Sequence, residues 1–110
     1  MKLAVIGGGS WGTALAIVLA PQAEWVRLWV FEEELAERMQ TTRENDAFLP
    51  GFHLPEHVRT TSNLAEALSG ADIVLGVMPS KHARRLYREM LPHVHSGMLF
   101  VSATDRKSVV

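Results

Sequence analysis

Lys2-Leu3-Ala4-Val5-Ile6-Gly7-Gly8-Gly9-Ser10-Trp11-Gly12-Thr13-Ala14-Leu15 is the stretch that decides the fold. Lys2 to Ile6 is a short apolar run rich in β-formers, and Gly7-Gly8-Gly9 stops it. The period then turns helical: Trp11, Ala14, Leu15, Val18 and Leu19 fall at i, i+3, i+4, i+7 and i+8. Ser10 is expected to cap this helix and Pro21 to end it. The turn fits G-x-G-x-x-G through Gly7, Gly9 and Gly12, a weak pattern alone. Here it follows a strand and opens a helix, and Glu32 stands 20 residues beyond Gly12, at the expected end of a second strand. Those contexts together are what a dinucleotide-binding loop requires. Gly7 permits the tight turn, Gly9 lets a pyrophosphate approach the backbone, and Gly12 lets helix pack on strand. Helix-start N–H groups and the helix dipole then favour the diphosphate.

Outward from this loop, strands and helices alternate. Val26 to Phe31 reads as the second strand, and Glu32-Glu33-Glu34 opens a helix carrying Leu35 and Met39. Asn45 to Glu56, with Pro50, Gly51 and Pro55, reads as a loop, yet Phe48, Leu49, Phe52 and Leu54 are apolar enough to pack onto the domain. Val58 to Thr60 is a short strand, and Ser62 is the expected cap of a brief helix over Leu64 to Leu68. Asp72 to Met78 has the continuous apolar character of a central parallel strand. Ser80 is the expected cap of the next helix, and Met98 to Ser102 is the last strand. This order predicts an α/β, doubly wound parallel sheet (Rossmann) with five strands in the order 3-2-1-4-5. A full fold of this type has a sixth strand; its lack would leave an open edge and invite self-association.

Composition narrows the function. The chain has 110 residues, 47% hydrophobic, with a net charge of −1 and no cysteine. That is one domain, without the basic surface nucleic acid needs, and without thiolate metal or disulfide chemistry. No apolar run reaches the roughly 18 residues that cross a membrane, so a cytoplasmic protein is expected. His53, His57, His82, His93 and His95 lack metal-ligand spacing, and the cluster Lys81, Arg84, Arg85 and Arg88 reads as a solvated helix face. No metal site and no nucleophile with a histidine partner is expected. A carboxylate at Glu32 accepts hydrogen bonds from an adenosine ribose and repels a 2′-phosphate, which predicts NAD over NADP.

Four motifs, in order and spacing, resemble the NAD(P)-dependent glycerol-3-phosphate dehydrogenases. They are Ile6 to Leu15, Leu28 to Glu33, Asn45 with Phe48-Leu49-Pro50-Gly51 and Leu54-Pro55, and Met78-Pro79-Ser80. The Trp-Val-Phe-Glu-Glu stretch looks closer to the NAD-linked branch than to the common bacterial Trp-Gly-His/Arg pattern. The resemblance covers residues 1–104 and implies hydride transfer between sn-glycerol 3-phosphate and dihydroxyacetone phosphate, feeding phospholipid synthesis, in a homodimer. It implies that Ser10 and Trp11 line the pyrophosphate and nicotinamide side, that Phe31 lies against the adenine and Glu32 at its ribose, and that Pro79 and Ser80 border the cleft. Against these stand plain alternatives: Trp11 as a core residue, Phe31 as an ordinary strand-end aromatic, and Glu32 as helix N-terminal charge. The family continues Lys-Gly after Thr104, whereas this chain has Asp105-Arg106, a charge reversal where an anionic substrate sits. The family's catalytic residues lie in a helical domain expected to be missing here, so no catalytic residue is assigned and the fragment is expected to be inactive. Residues 105–110 can be encoded by a common sequencing-adapter sequence, and that tail is expected to be an artefact of truncation.

Overall fold

The computed structural model describes residues 1–78 and 80–103. Five parallel strands form the main sheet: β1 (Lys2–Ile6), β2 (Trp25–Trp29), β5 (Val58–Thr61), β6 (Ile73–Gly76) and β7 (Leu99–Ser102). Between them run α1 (Ser10–Leu19), α2 (Glu33–Thr42), α3 (Leu64–Leu68) and α4 (Ser80–Met90). The order β5-β2-β1-β6-β7 is the expected 3-2-1-4-5 once a separate ribbon, β3 (Glu44–Asn45) with β4 (Leu49–His53), is set aside. Pro21 falls where expected, in a 3-10 turn (Ala20–Gln22) that follows α1.

Alternation along β1 divides the core. Leu3 and Val5 face one layer with Ala16, Val26, Leu28, Leu35, Met39, Leu54 and Val58. Ala4 and Ile6 face the other with Trp29, Leu68, Val74, Met78, Leu86 and Met90. A strand flanked by helices on both sides must be apolar on both, which is why β1 and β6 read as continuous apolar runs. All four residues of β7, at the sheet edge, are exposed.

Several expectations need correction. The buried stripe of α1 is Gly12, Thr13 and Ala16, not the larger apolar residues: Trp11 and Val18 are exposed. Small residues win the centre of that face because α1 lies close on the sheet; Leu15 and Leu19 pack partly buried at its border, while Trp11 and Val18 turn outward. The second strand ends at Trp29, so Phe31 and Glu32 lie beyond it. Residues 45–56 are not simply a loop. Pro50 and Gly51 sit within β4 opposite an irregularity between Glu44 and Asn45, where a bulged two-stranded ribbon tolerates proline's missing donor. Leu54 from this segment is buried as expected, but Phe48 and Phe52 are exposed. Asn63 rather than Ser62 caps α3, its side chain accepting from the Glu66 N–H at 3.0 Å.

Candidate functional site

Parallel pairing sets Ile6 beside Trp29 on one side and Gly76 on the other, so β1, β2 and β6 end at one edge of the sheet. Strand order reverses at β1, the place where a doubly wound sheet carries its ligand crevice. The glycine loop, the residues after β2 and the residues after β6 all meet this edge. Of the sequence-predicted site residues, Pro79 and the tail 105–110 lie outside the described residues. α4 begins at Ser80, whose expected capping by its side chain also lies outside what is described.

Each glycine has a different reason to lack a side chain. Gly7 has φ +128°, and a Cβ there would stand 2.1 Å from the Val77 carbonyl oxygen. A Cβ at Gly12 would stand 1.7 Å from the Gly7 carbonyl oxygen, and one at Gly8 would stand 2.7 Å from Val30 Cγ2. The protein's own packing therefore demands these three. Gly9 is the exception: its φ of −74° suits any residue, and a Cβ there would meet nothing within 4 Å. No atom of the described chain accounts for that bare position, which leaves a hollow open to something else.

The hollow sits on the start of α1. Gly9, not Ser10, is the N-cap, with no side-chain cap bond. The first helical bond runs from the Thr13 N–H to the Gly9 oxygen at 3.0 Å, so the N–H groups of residues 10–12 precede the ladder and have no acceptor within the helix. Ser10 and Trp11 flank this mouth and are exposed, Trp11 at 56%, which removes the core-packing alternative for the indole. Missing side chain, unpaired N–H groups and helix dipole together make a binding place for an anion held against backbone.

Phe31 is 64% exposed and meets Trp29 edge to face at 6.1 Å. Trp29 anchors the pair in the core while Phe31 offers the rest of its ring to solvent. Glu32 is the N-cap residue of α2, but its side chain makes no cap bond. The dipole of α2 is met instead by Glu33 and Glu34 in the first turn. The Glu32 carboxylate, exposed, is thus left available beside the crevice.

Asn45, quoted above only as part of a motif, is a site-supporting residue that spacing alone did not reveal. Fully buried, it donates from Nδ2 to the Gly8 oxygen and to Thr13 Oγ1, both at 2.8 Å, and its Oδ1 accepts from the Phe48 N–H at 3.1 Å. Arg43 steadies the same ribbon. It holds a left-handed backbone at the end of α2 and donates to the carbonyls of Pro55 and Val58. Among the described residues no group of three or more metal-ligating side chains gathers, and no helix is long and apolar enough to cross a membrane.

A doubly wound sheet with this loop at its reversal point is the architecture of the dinucleotide-binding domains of oxidoreductases. The particular branch follows from comparison. The family model for the NAD-dependent glycerol-3-phosphate dehydrogenase N-terminus matches residues 2–105, and the chain belongs to that family. It is 53% identical over 104 residues to a glycerol-3-phosphate dehydrogenase [NAD(P)+] of Koribacter versatilis, covering 94% of this chain and 31% of that protein. Among solved structures, glycerol-3-phosphate dehydrogenase from Coxiella burnetii superposes with a TM-score of 0.89 at 34% identity, over 94% of this chain and 32% of that one. The yeast enzyme superposes with a TM-score of 0.88 at 31% identity, over 96% and 33%. The chain thus spans about a third of the relatives it matches.

Proposed function

We propose that this chain is the cofactor-holding part of an NAD-dependent glycerol-3-phosphate dehydrogenase, with residues 1–104 as its dinucleotide-binding domain. The hollow at Gly9 carries the reading, because among Gly7, Gly8, Gly9 and Gly12 it is the one position that the chain's own packing does not explain. The residues fit a dinucleotide part by part. N–H groups at the start of α1 face the diphosphate, with Ser10 and Trp11 at the rim toward the nicotinamide. Phe31 stacks on the adenine, and Glu32 accepts hydrogen bonds from its ribose. The family resemblance assigns Pro79 and Ser80, which follow β6 in sequence, to the same cofactor site.

Glu32 supports NAD over NADP. A carboxylate facing the ribose hydroxyls gains charge-assisted hydrogen bonds worth about 1.5–3 kcal/mol, and it opposes the negative charge of a 2′-phosphate. When bound, the nicotinamide would give a hydride to dihydroxyacetone phosphate in one direction and take one from sn-glycerol 3-phosphate in the other. This chain binds and orients; proton transfer and substrate recognition belong to the part of the relatives it does not span. The whole enzyme is read as a cytoplasmic homodimer serving glycerophospholipid synthesis.

Two measurements test this. Calorimetric titration of the 110-residue chain should give tighter binding of NADH than of NADPH. NADH oxidation with dihydroxyacetone phosphate should be absent from this chain and appear once the second domain of a homologue is joined to it. Turnover by the short chain alone would overturn the division of labour.

A further inference from the structure

The Gly8–Gly9 peptide is flanked by two residues with no side chain, so its plane has little steric reason to prefer one orientation. Something else holds it. The Gly8 oxygen accepts from Asn45 Nδ2 at 2.8 Å and from Thr13 Oγ1 at 3.4 Å. Both holding side chains are fully buried, and Asn45 also donates to Thr13 Oγ1 at 2.8 Å. The Asn45 amide is itself oriented by chemistry. The Phe48 N–H can only donate and the Gly8 carbonyl can only accept, so oxygen must face the first and nitrogen the second.

In a planar trans peptide the C=O and N–H bonds point in opposite directions, and no described peptide is cis. Drawing the Gly8 oxygen inward onto Asn45 therefore turns the Gly9 N–H away from the protein interior, on the side of the hollow. The opposite orientation would put a carbonyl dipole's negative end where an anion is to sit. We propose that Asn45 is a positioning residue that, with Thr13, locks the Gly8–Gly9 peptide so that its N–H addresses the diphosphate. Diphosphate recognition then depends on a side chain delivered from the β3–β4 ribbon, 37 residues away in sequence from the loop it holds. This rests on the reading of the hollow as a diphosphate site.

The test compares ligands that do and do not carry a diphosphate. N45D is nearly isosteric but cannot donate to the Gly8 oxygen; T13V removes the hydroxyl, whereas T13S keeps it. NADH, ADP and adenosine are titrated against wild type and each variant, with circular dichroism reporting the fold. NADH and ADP should bind about tenfold more weakly to N45D and T13V, adenosine equally well, and T13S should recover much of what T13V loses. Unchanged ADP binding in N45D and T13V would overturn the proposal. So would an equal loss for adenosine, which would mark Asn45 as a support of the fold alone. If N45D does not fold, T13V against T13S decides. A wild-type chain that binds neither NADH nor ADP would bring down the diphosphate reading itself, a result distinct from either of these.

Discussion

Replacing Gly9 and Gly12 separately by alanine should divide binding from folding. At Gly12 the added Cβ would lie 1.7 Å from the Gly7 carbonyl oxygen, a backbone atom that cannot swing aside. Relief requires α1 to move off β1 by more than an ångström, in a layer where Ala16 and Ala20 are already fully buried. Overpacking of this kind costs about 3 kcal/mol or more, which for a chain of this size lowers Tm by on the order of 10–20 °C. At Gly9 the Cβ enters open space and the backbone is already extended, with ψ −168°. Alanine is a poorer cap than glycine, while the unfolded chain loses some freedom, so the two effects offset to within about 1 kcal/mol. The methyl group nevertheless fills the approach of a diphosphate to the helix start. G9A should therefore melt within a few degrees of wild type yet lose NADH binding, and G12A should lose stability first. Thermal melts by circular dichroism, paired with NADH titration, read both quantities. G9A binding NADH with wild-type affinity would refute the assignment of the hollow, however stable the variant proved.

Three further outcomes follow from named contacts. E32Q removes the charge while keeping the shape, so the ratio of NADH to NADPH affinity should fall about tenfold, measured by parallel titrations. F31A should weaken adenosine and NADH alike by roughly tenfold through lost stacking, with no change in Tm because the ring is mostly exposed; equal adenosine binding would remove Phe31 from the adenine site. Asp46 is held below the ordinary carboxylate range by its hydrogen bonds with Arg38, which outweigh the opposing effect of burial, while the guanidinium charge adds a smaller pull downward. Since the folded-state value is the lower one, the tie between α2 and the ribbon is intact above the ordinary value of 3.8 and is lost as pH falls through the folded-state value. Carbon-detected NMR should find the Asp46 midpoint returned to the ordinary range in R38Q, and an unmoved midpoint would show that the pair does not form in solution.

The glycine loop was legible in the sequence because its signals are local: a β-rich run, a glycine turn, then a helical period. Strand order was legible too, since strands alternating with helices admit few right-handed parallel windings. Glu32 could be located by spacing from Gly12, and its role as the N-cap residue left its carboxylate unspent. Hydrophobic period located α1 but not its most buried face, because period counts large apolar residues whereas close helix–sheet approach buries small ones. Proline and glycine hid the β3–β4 ribbon, since a bulged edge pair makes fewer demands on its backbone than a central strand does.

The sequence by itself determined the class of fold, the loop and the acid that follows it, because each is written in adjacent residues or a fixed interval. Only the tertiary structure decided which glycines of the loop are held bare by contact with the rest of the chain and which one is not. It alone revealed that Asn45, remote in the chain, reaches the loop. Both depend on distances between segments that no pattern along the chain encodes: a Cβ clash with Gly7 or Val77, the lack of any clash at Gly9, and a buried amide within 2.8 Å of the Gly8 carbonyl.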